Sequence, residues 1–407
     1  MSLPPFRHTA AVHELRELEG LRALAAGAVL LTHAAFMSGA IGRSILPGFL
    51  ARMDIGVAVF FVLSGFLLYR SNAGALAGIG RPSPTRTFFA RRAARLLPAW
   101  LLCLAGVLVL VPESRHAPAA SWVANLLQVQ AFKSSWDLPG LAQLWSLSTE
   151  VFFYLSLPLL AWLLRLAARR WGARGEVWGL VGMYVFAWAV RVAAAAGLLS
   201  GRISWLRTLP GNLDWFVLGM ALAVLFVNRD RYGASLAVIR ESPWTLYALA
   251  ATILWLLTTS IAGPYDLTAP SAWQASIKHL GYGLFAILVV APAVAGATSS
   301  VSAMLRSRPM VYLGTISYGF FLWHLPVMFW VRAHLGYALF TGHFWATTLG
   351  TLLVGLPISA ASWHLVESKV QALARRRTTT GRAAPATTEP SVAPPPTPLG
   401  AEGHHGH

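Results

Sequence analysis

Long apolar runs without charge recur from the N-terminus to about residue 366, and they constrain the fold more tightly than anything else in the chain. Stretches such as GVAVFFVLSGFLLY, PAWLLCLAGVLVLV and TLLVGLPISAAS have the length and composition of lipid-spanning helices. Hydrophobic residues make up 56% of the 407 and charged residues only 12%, about half the charged share of an average soluble domain. The pattern predicts an all-α, polytopic membrane helix bundle.

Ten helices are expected, over 18–39, 54–70, 93–112, 141–164, 176–200, 208–227, 243–262, 279–298, 309–334 and 343–366. The stretch SWVANLLQVQAF (121–132) is too short to cross and reads as a re-entrant segment. Ten spans put both termini on one side. Segments 1–22, 70–95, 165–174, 228–241, 299–309 and 369–407 hold 23 of the 32 Lys and Arg residues. The positive-inside rule therefore predicts cytoplasmic termini in a multi-pass protein of the cell inner (plasma) membrane. The net charge of +17 is explained by this orientation, and no nucleic-acid partner is expected.

Glu14, Glu17 and Glu19 precede the first run, which lacks a clear small-residue cleavage site, so it is not read as a signal peptide. A single cysteine, Cys103, excludes a disulfide framework and a multi-cysteine metal site, and no metal is expected. Residues 1–369 read as one membrane domain. Residues 370–407, including RRRTTTGRAAPATTEPSVAPPPTPLG, read as a disordered cytoplasmic tail.

Polar residues at membrane depth mark a site. Arg22 and His33 are eleven residues apart in the first span, on one stripe and about 16 Å apart along the axis. At 1.5 Å per residue, His33 and His324 lie about 20 Å from the inner face and Glu150 about 14 Å from the outer face, all at one level. A neutral imidazole there is suited to removing a hydroxyl proton, with Glu150 as the carboxylate that would stabilise it. Arg22, Arg92 and Arg95 form a layer at the inner face, with Ser317 and Tyr318 slightly deeper. Arg92 and Arg95 are either topological charges or a grip for phosphate, and spacing leaves both open. Arg191 and Asp214 are expected to form a buried ion pair. Asp54 and Glu367, near span ends, are expected to be solvated or capping.

Seven stretches in order, LEGLRALAAGAVLLTHA, DIGVAVFFVLSGFLLYR, FFARRAARLLPAW, LWSLSTEVFFYLSLPLL, LDWFVLGMALA, LGTISYGFFLWHLPV and HLVES, resemble the landmarks of acyltransferase family three. These are multispanning membrane O-acyltransferases, and the resemblance covers about residues 17–369. The family's R-x10-H motif matches Arg22 and His33, and its R-x-x-R motif Arg92 and Arg95. Its W-S-L-S-x-E carboxylate matches Glu150, and its Ser-Tyr pair Ser317 and Tyr318. Two positions depart from it: Asn212 stands where an arginine is common, and the last landmark reads Glu367-Ser-Lys without its proline.

The resemblance implies acyl-CoA as a co-substrate taken from the cytoplasm, with no permanently bound cofactor, and a hydroxylated acceptor, usually a sugar. On this basis His33 and Glu150 carry the chemistry and Arg22, Arg92, Arg95, Ser317 and Tyr318 hold the donor. His324, Asp214 and Ser148 are taken as acceptor contacts. Two acceptor classes stay open, a glycosylated macrolide-like natural product, favoured by the Ala-, Arg- and Gly-rich composition, and an envelope glycan or lipid-linked saccharide. A direct transfer is expected, with an acyl-serine on Ser317 as the alternative. A transporter is the rival from another class.

Overall fold

The computed structural model describes residues 8–43, 47–199, 201, 203–265 and 268–380. Among these residues there is no strand, and every one of the ten expected segments overlaps a long helix. They are α1 (His8–Ser38), α2 (Gly56–Leu76), α3 (Thr85–Leu110), α4 (Leu144–Trp171) and α5 (Ala173–Ala195). The rest are α6 (Leu213–Val227), α7 (Pro243–Leu257), α8 (Ala272–Ala295), α9 (Arg308–His334) and α10 (Phe344–Ser362).

Several boundaries differ from expectation. Helices α1, α3 and α8 begin about two turns or more before their apolar runs, because helical hydrogen bonds are local and continue through polar sequence. Helix α8 starts where a capping box ends the preceding loop. The Ser271 hydroxyl accepts from the Gln274 amide (3.3 Å) and the Gln274 side chain accepts from the Ser271 amide (3.0 Å). Segment 121–132 forms only part of a short helix, Ala119–Leu126, followed by single turns in the α3–α4 connection. The Asn125 amide ties it down by donating to the Trp136 carbonyl at 2.8 Å. Beyond α10 a π-helical turn, Trp363–Glu367, leads into a helix Ser368–Thr380, so the stretch expected to be disordered from 370 is helical at its start. Residues 381–407 of the expected tail lie outside the described residues.

Among the described residues, seven helices are long and apolar enough to cross a membrane by length and composition. Helices α6 and α7, at 15 residues each, are about 22 Å long against a hydrocarbon core of about 30 Å. Helix α9 has the length, at 27 residues, but carries Arg308, His324, Arg332 and His334. Large apolar side chains face outward, including Leu353 (76% exposed) and Val109 (71%). An envelope of such side chains is costly in water and natural in lipid.

Close backbone crossings bring the polar residues together. Helix α1 packs against both α2 and α9. At Gly314 of α9 a Cβ would sit 2.0 Å from the Glu19 carbonyl oxygen, so only glycine lets these two helices approach as they do. Gly65 of α2 and Gly219 of α6 do the same for that pair, meeting the Phe216 and Val62 carbonyls at 2.1 and 2.0 Å. Beside this crossing Phe61, Phe216 and Phe153 stack in series, with centroid spacings of 4.4 and 4.1 Å.

Candidate active site

Two spaces open on either side of Val57 and Phe321, the residues that line both. The first is a narrow cleft at the Arg22 end of α1, lined by Arg22, Arg92, Arg95, Glu150, Tyr154 and Tyr318 among others. Three arginines face one carboxylate there, which leaves net positive charge for an anionic ligand. Arg22 also lies 3.6 Å from Glu19. The Tyr318 hydroxyl donates to the Leu96 carbonyl at 3.0 Å, fixing α9 to α3 one residue beyond Arg95.

Glu150 sits in this cleft and not beside His33. It accepts from the Ser64 hydroxyl at 2.6 Å and from the Tyr154 hydroxyl one helical turn away. The expected Glu150–His33 contact is therefore not made. Glu150 lies with Arg22, Arg92 and Arg95, toward the opposite end of the Arg22–His33 stripe, so the single level expected for it and His33 is not observed.

The partner of His33 is His324, whose Nε2 lies 3.1 Å from His33 Nδ1. Carbonyl oxygens only accept, so the hydrogen bonds fix both tautomers. His324 Nδ1 donates to the Phe321 carbonyl (2.8 Å), leaving its Nε2 as an acceptor. His33 Nδ1 then carries the proton, shared between the Val29 carbonyl (2.9 Å) and His324 Nε2. His33 Nε2 is left with its lone pair and makes no hydrogen bond among the described residues. Such a nitrogen can take a proton from a hydroxyl, and the resulting imidazolium keeps its Nδ1 bond to His324.

His33 lines the second space, a cavity of about 500 Å³, within the usual size range for small-molecule sites. Its wall mixes polar groups (Gln143, Arg191, Arg207, Asn212) with Trp145 and Trp215. Asp54, expected to be solvated or capping, also lines it and accepts from Lys278 (2.8 Å) and from the Tyr282 hydroxyl. Asn212 is buried and donates to the Leu206 and Thr208 carbonyls, both at 2.9 Å, which orders the turn into α6.

Other expectations need correction. Asp214 pairs with His279 (2.8 Å), while Arg191 donates to the Gly211 carbonyl (3.0 Å). Ser317 is buried and its hydroxyl donates to Gly314 in its own helix at 2.7 Å, outside both spaces, which removes the support for an acyl-serine. Ser148 is fully buried against the Gln128 carbonyl, too far into the wall to touch an acceptor. Glu367 is not solvated: it is 2% exposed and accepts from the Ser362 hydroxyl at 2.8 Å. The π-turn swings it inward against Gly319.

Sequence reasoning passed over Tyr154, Lys278, His279 and Tyr282. Tyr154 was legible, since it is four residues from Glu150 on the same helix face. His279 was hidden by the expected start of α8 at 279. The helix begins at Ala272, which puts His279 about two turns inside it.

The family model described as an acyltransferase domain, that of acyltransferase family three, matches residues 15–364. The chain is 28% identical to acyltransferase MdmB of Streptomyces mycarofaciens, over 93% of this chain and 97% of that one. It is 26% identical to nodulation protein 10 of Rhizobium leguminosarum bv. viciae, over 78% and 82%. It is 28% identical to peptidoglycan O-acetyltransferase OatA of Listeria monocytogenes, over 76% of this chain and 49% of that relative. No solved structure matches the chain. The chain belongs to acyltransferase family three and is a multi-pass membrane acyltransferase.

Proposed function

We propose that this enzyme moves a short acyl group from acyl-CoA to a sugar hydroxyl, the sugar being carried by a macrolide-like natural product. The observation that carries the proposal is the free Nε2 of His33, held on the wall of the larger cavity by His324. His33 takes the hydroxyl proton as the oxygen attacks the thioester carbonyl. The carbon–sulfur bond then breaks, the ester leaves, and the thiolate recovers the proton from His33 as coenzyme A thiol. Arg22, Arg92 and Arg95 supply the charge that holds the donor's phosphates, and Glu150 orders them from within the same cleft. The axial separation of Arg22 from His33, about 16 Å along α1, suits a pantetheine arm running past Phe321.

The proposal includes ten spans with both termini in the cytoplasm, so that the arginine cleft opens to the cytoplasmic donor pool. A second acceptor class is favoured by one observation, the likeness to a relative named a peptidoglycan O-acetyltransferase. On that reading the sugar belongs to an envelope glycan. Mixed polar and tryptophan lining supports a sugar in either case.

The test is to incubate the purified protein with acetyl- and propionyl-CoA and a panel of glycosylated macrolides, glycans and simple glycosides, following thiol release. Release that depends on one acceptor class identifies it. No release with any acceptor, together with coupled flux across vesicles, would overturn the proposal in favour of transport.

A further inference from the structure

The larger cavity holds a second histidine that the acyl-transfer chemistry leaves unused. His279, on α8, is 2% exposed and lines the wall. Its Nε2 lies 2.8 and 3.0 Å from the two oxygens of Asp214. A carboxylate accepts, so Nε2 carries the ring proton and Nδ1 keeps a lone pair. That Nδ1 is buried and has no hydrogen-bond partner among the described residues.

The ring is held in place. It stacks on Trp215 at 4.1 Å and 16°, and Trp188 meets it edge-on at 5.7 Å. The Trp215 indole also donates to the His279 carbonyl at 3.2 Å. The neighbouring cation, Lys278, is taken up by Asp54. A clamped, buried acceptor with nothing to accept is unfavourable unless a ligand supplies the donor. The same cavity presents the free Nε2 of His33. Both histidines belong to the wall of one cavity, and each has a ring nitrogen with a lone pair and no hydrogen-bond partner among the described residues, which suits one molecule with two hydroxyls.

On the reading of this cavity as the acceptor site, we propose that His279 Nδ1 accepts a hydrogen bond from a second, non-reacting hydroxyl of the acceptor. Asp214 sets the tautomer, and the pair makes the enzyme selective for polyols such as sugars over mono-alcohols. His279 is thus a specificity-determining residue, and Asp214 a positioning residue behind it.

The experiment uses full-length protein in nanodiscs with acetyl-CoA. The acceptors are methyl hexosides, methyl 6-deoxyhexosides and inositol, each beside a form lacking one hydroxyl, with cyclohexanol as the mono-alcohol. The wild type is expected to prefer one parent compound over one of its deoxy forms by about tenfold or more in kcat/KM. His279→Ala should bring that ratio to within about twofold of one, chiefly through KM. Asp214→Asn should act in the same direction, because an amide NH donated to Nε2 reverses the ring's tautomer. His279→Asn, whose amide oxygen takes the Nδ1 place, should restore part of the preference. Size exclusion and thermal unfolding exclude misfolding, and if His279→Ala fails to fold the other two variants carry the test. Turnover without any polyol preference, or a preference that survives His279→Ala and Asp214→Asn, overturns this proposal alone. No turnover of any acceptor by the wild type overturns the acceptor-site reading and this inference with it.

Discussion

His324 Nε2 accepts a hydrogen bond from His33 Nδ1 across 3.1 Å, joining α9 to α1 at the wall of the larger cavity. The bond is one link in a chain that starts at the Phe321 carbonyl and ends at the open Nε2 of His33. Orientation and tautomer are thereby set by neutral groups, without a carboxylate in contact. The nearest precedent in general mechanism is the third member of a catalytic triad, which acts by holding the imidazole in its working form.

Replacing His33 should remove acyl transfer. His33→Ala is expected to lower kcat for acceptor-dependent thiol release by about 1000-fold or more, with unchanged membrane insertion and unfolding temperature. Retained turnover in His33→Ala would remove this residue from the chemistry.

His324 should act through His33. His324→Ala is expected to reduce kcat about 100-fold with little change in either KM, since the His33 ring loses one of the two acceptors that hold its Nδ1 proton and orientation. His324→Gln, whose amide oxygen can stand where Nε2 stood, should recover part of that loss. Equal defects in the two variants would point to packing instead.

The arginine cleft should read the donor's phosphates. Arg92→Ala and Arg95→Ala are each expected to raise KM for acetyl-CoA about 10- to 100-fold, the effect of a charge-assisted hydrogen bond. The same substitutions should leave KM for acetyl-pantetheine, which lacks the nucleotide, nearly unchanged. An equal rise with both donors would place the arginines elsewhere in function.

The α2–α6 crossing should be intolerant of any side chain. Gly219→Ala sets a methyl 2.0 Å from the Val62 carbonyl oxygen and should destabilise the protein by about 1–3 kcal/mol. Thermal unfolding in detergent measures it, and an unchanged midpoint would mean the helices part easily.

Orientation is testable with single cysteines, since Cys103 is buried and the only one in the chain. In a Cys103→Ala background, Leu198→Cys (76% exposed) should react with an impermeant maleimide in intact spheroplasts. Trp171→Cys (63% exposed) should react only after permeabilisation. The reverse result would invert the topology.

The sequence by itself determined the helical character, the ten apolar segments and most of the polar residues at depth, because the hydrophobic pattern is local and survives without neighbours. It also carried the family resemblance and the ruler-like spacing of Arg22 and His33. Which polar residues touch was decided only by tertiary structure. Position along one helix follows from counting residues, but level relative to other helices, azimuth and neighbour follow from crossings such as Gly314 on Glu19, where backbones approach closely. Those crossings gave His33 to His324 and Asp214 to His279. They set Glu150 with Ser64 and Tyr154 among the arginines, and turned Ser148 and Ser317 into the wall. A long-range contact between buried polar groups depends on the rotation of two helices about their own axes, and a single span's composition does not encode that.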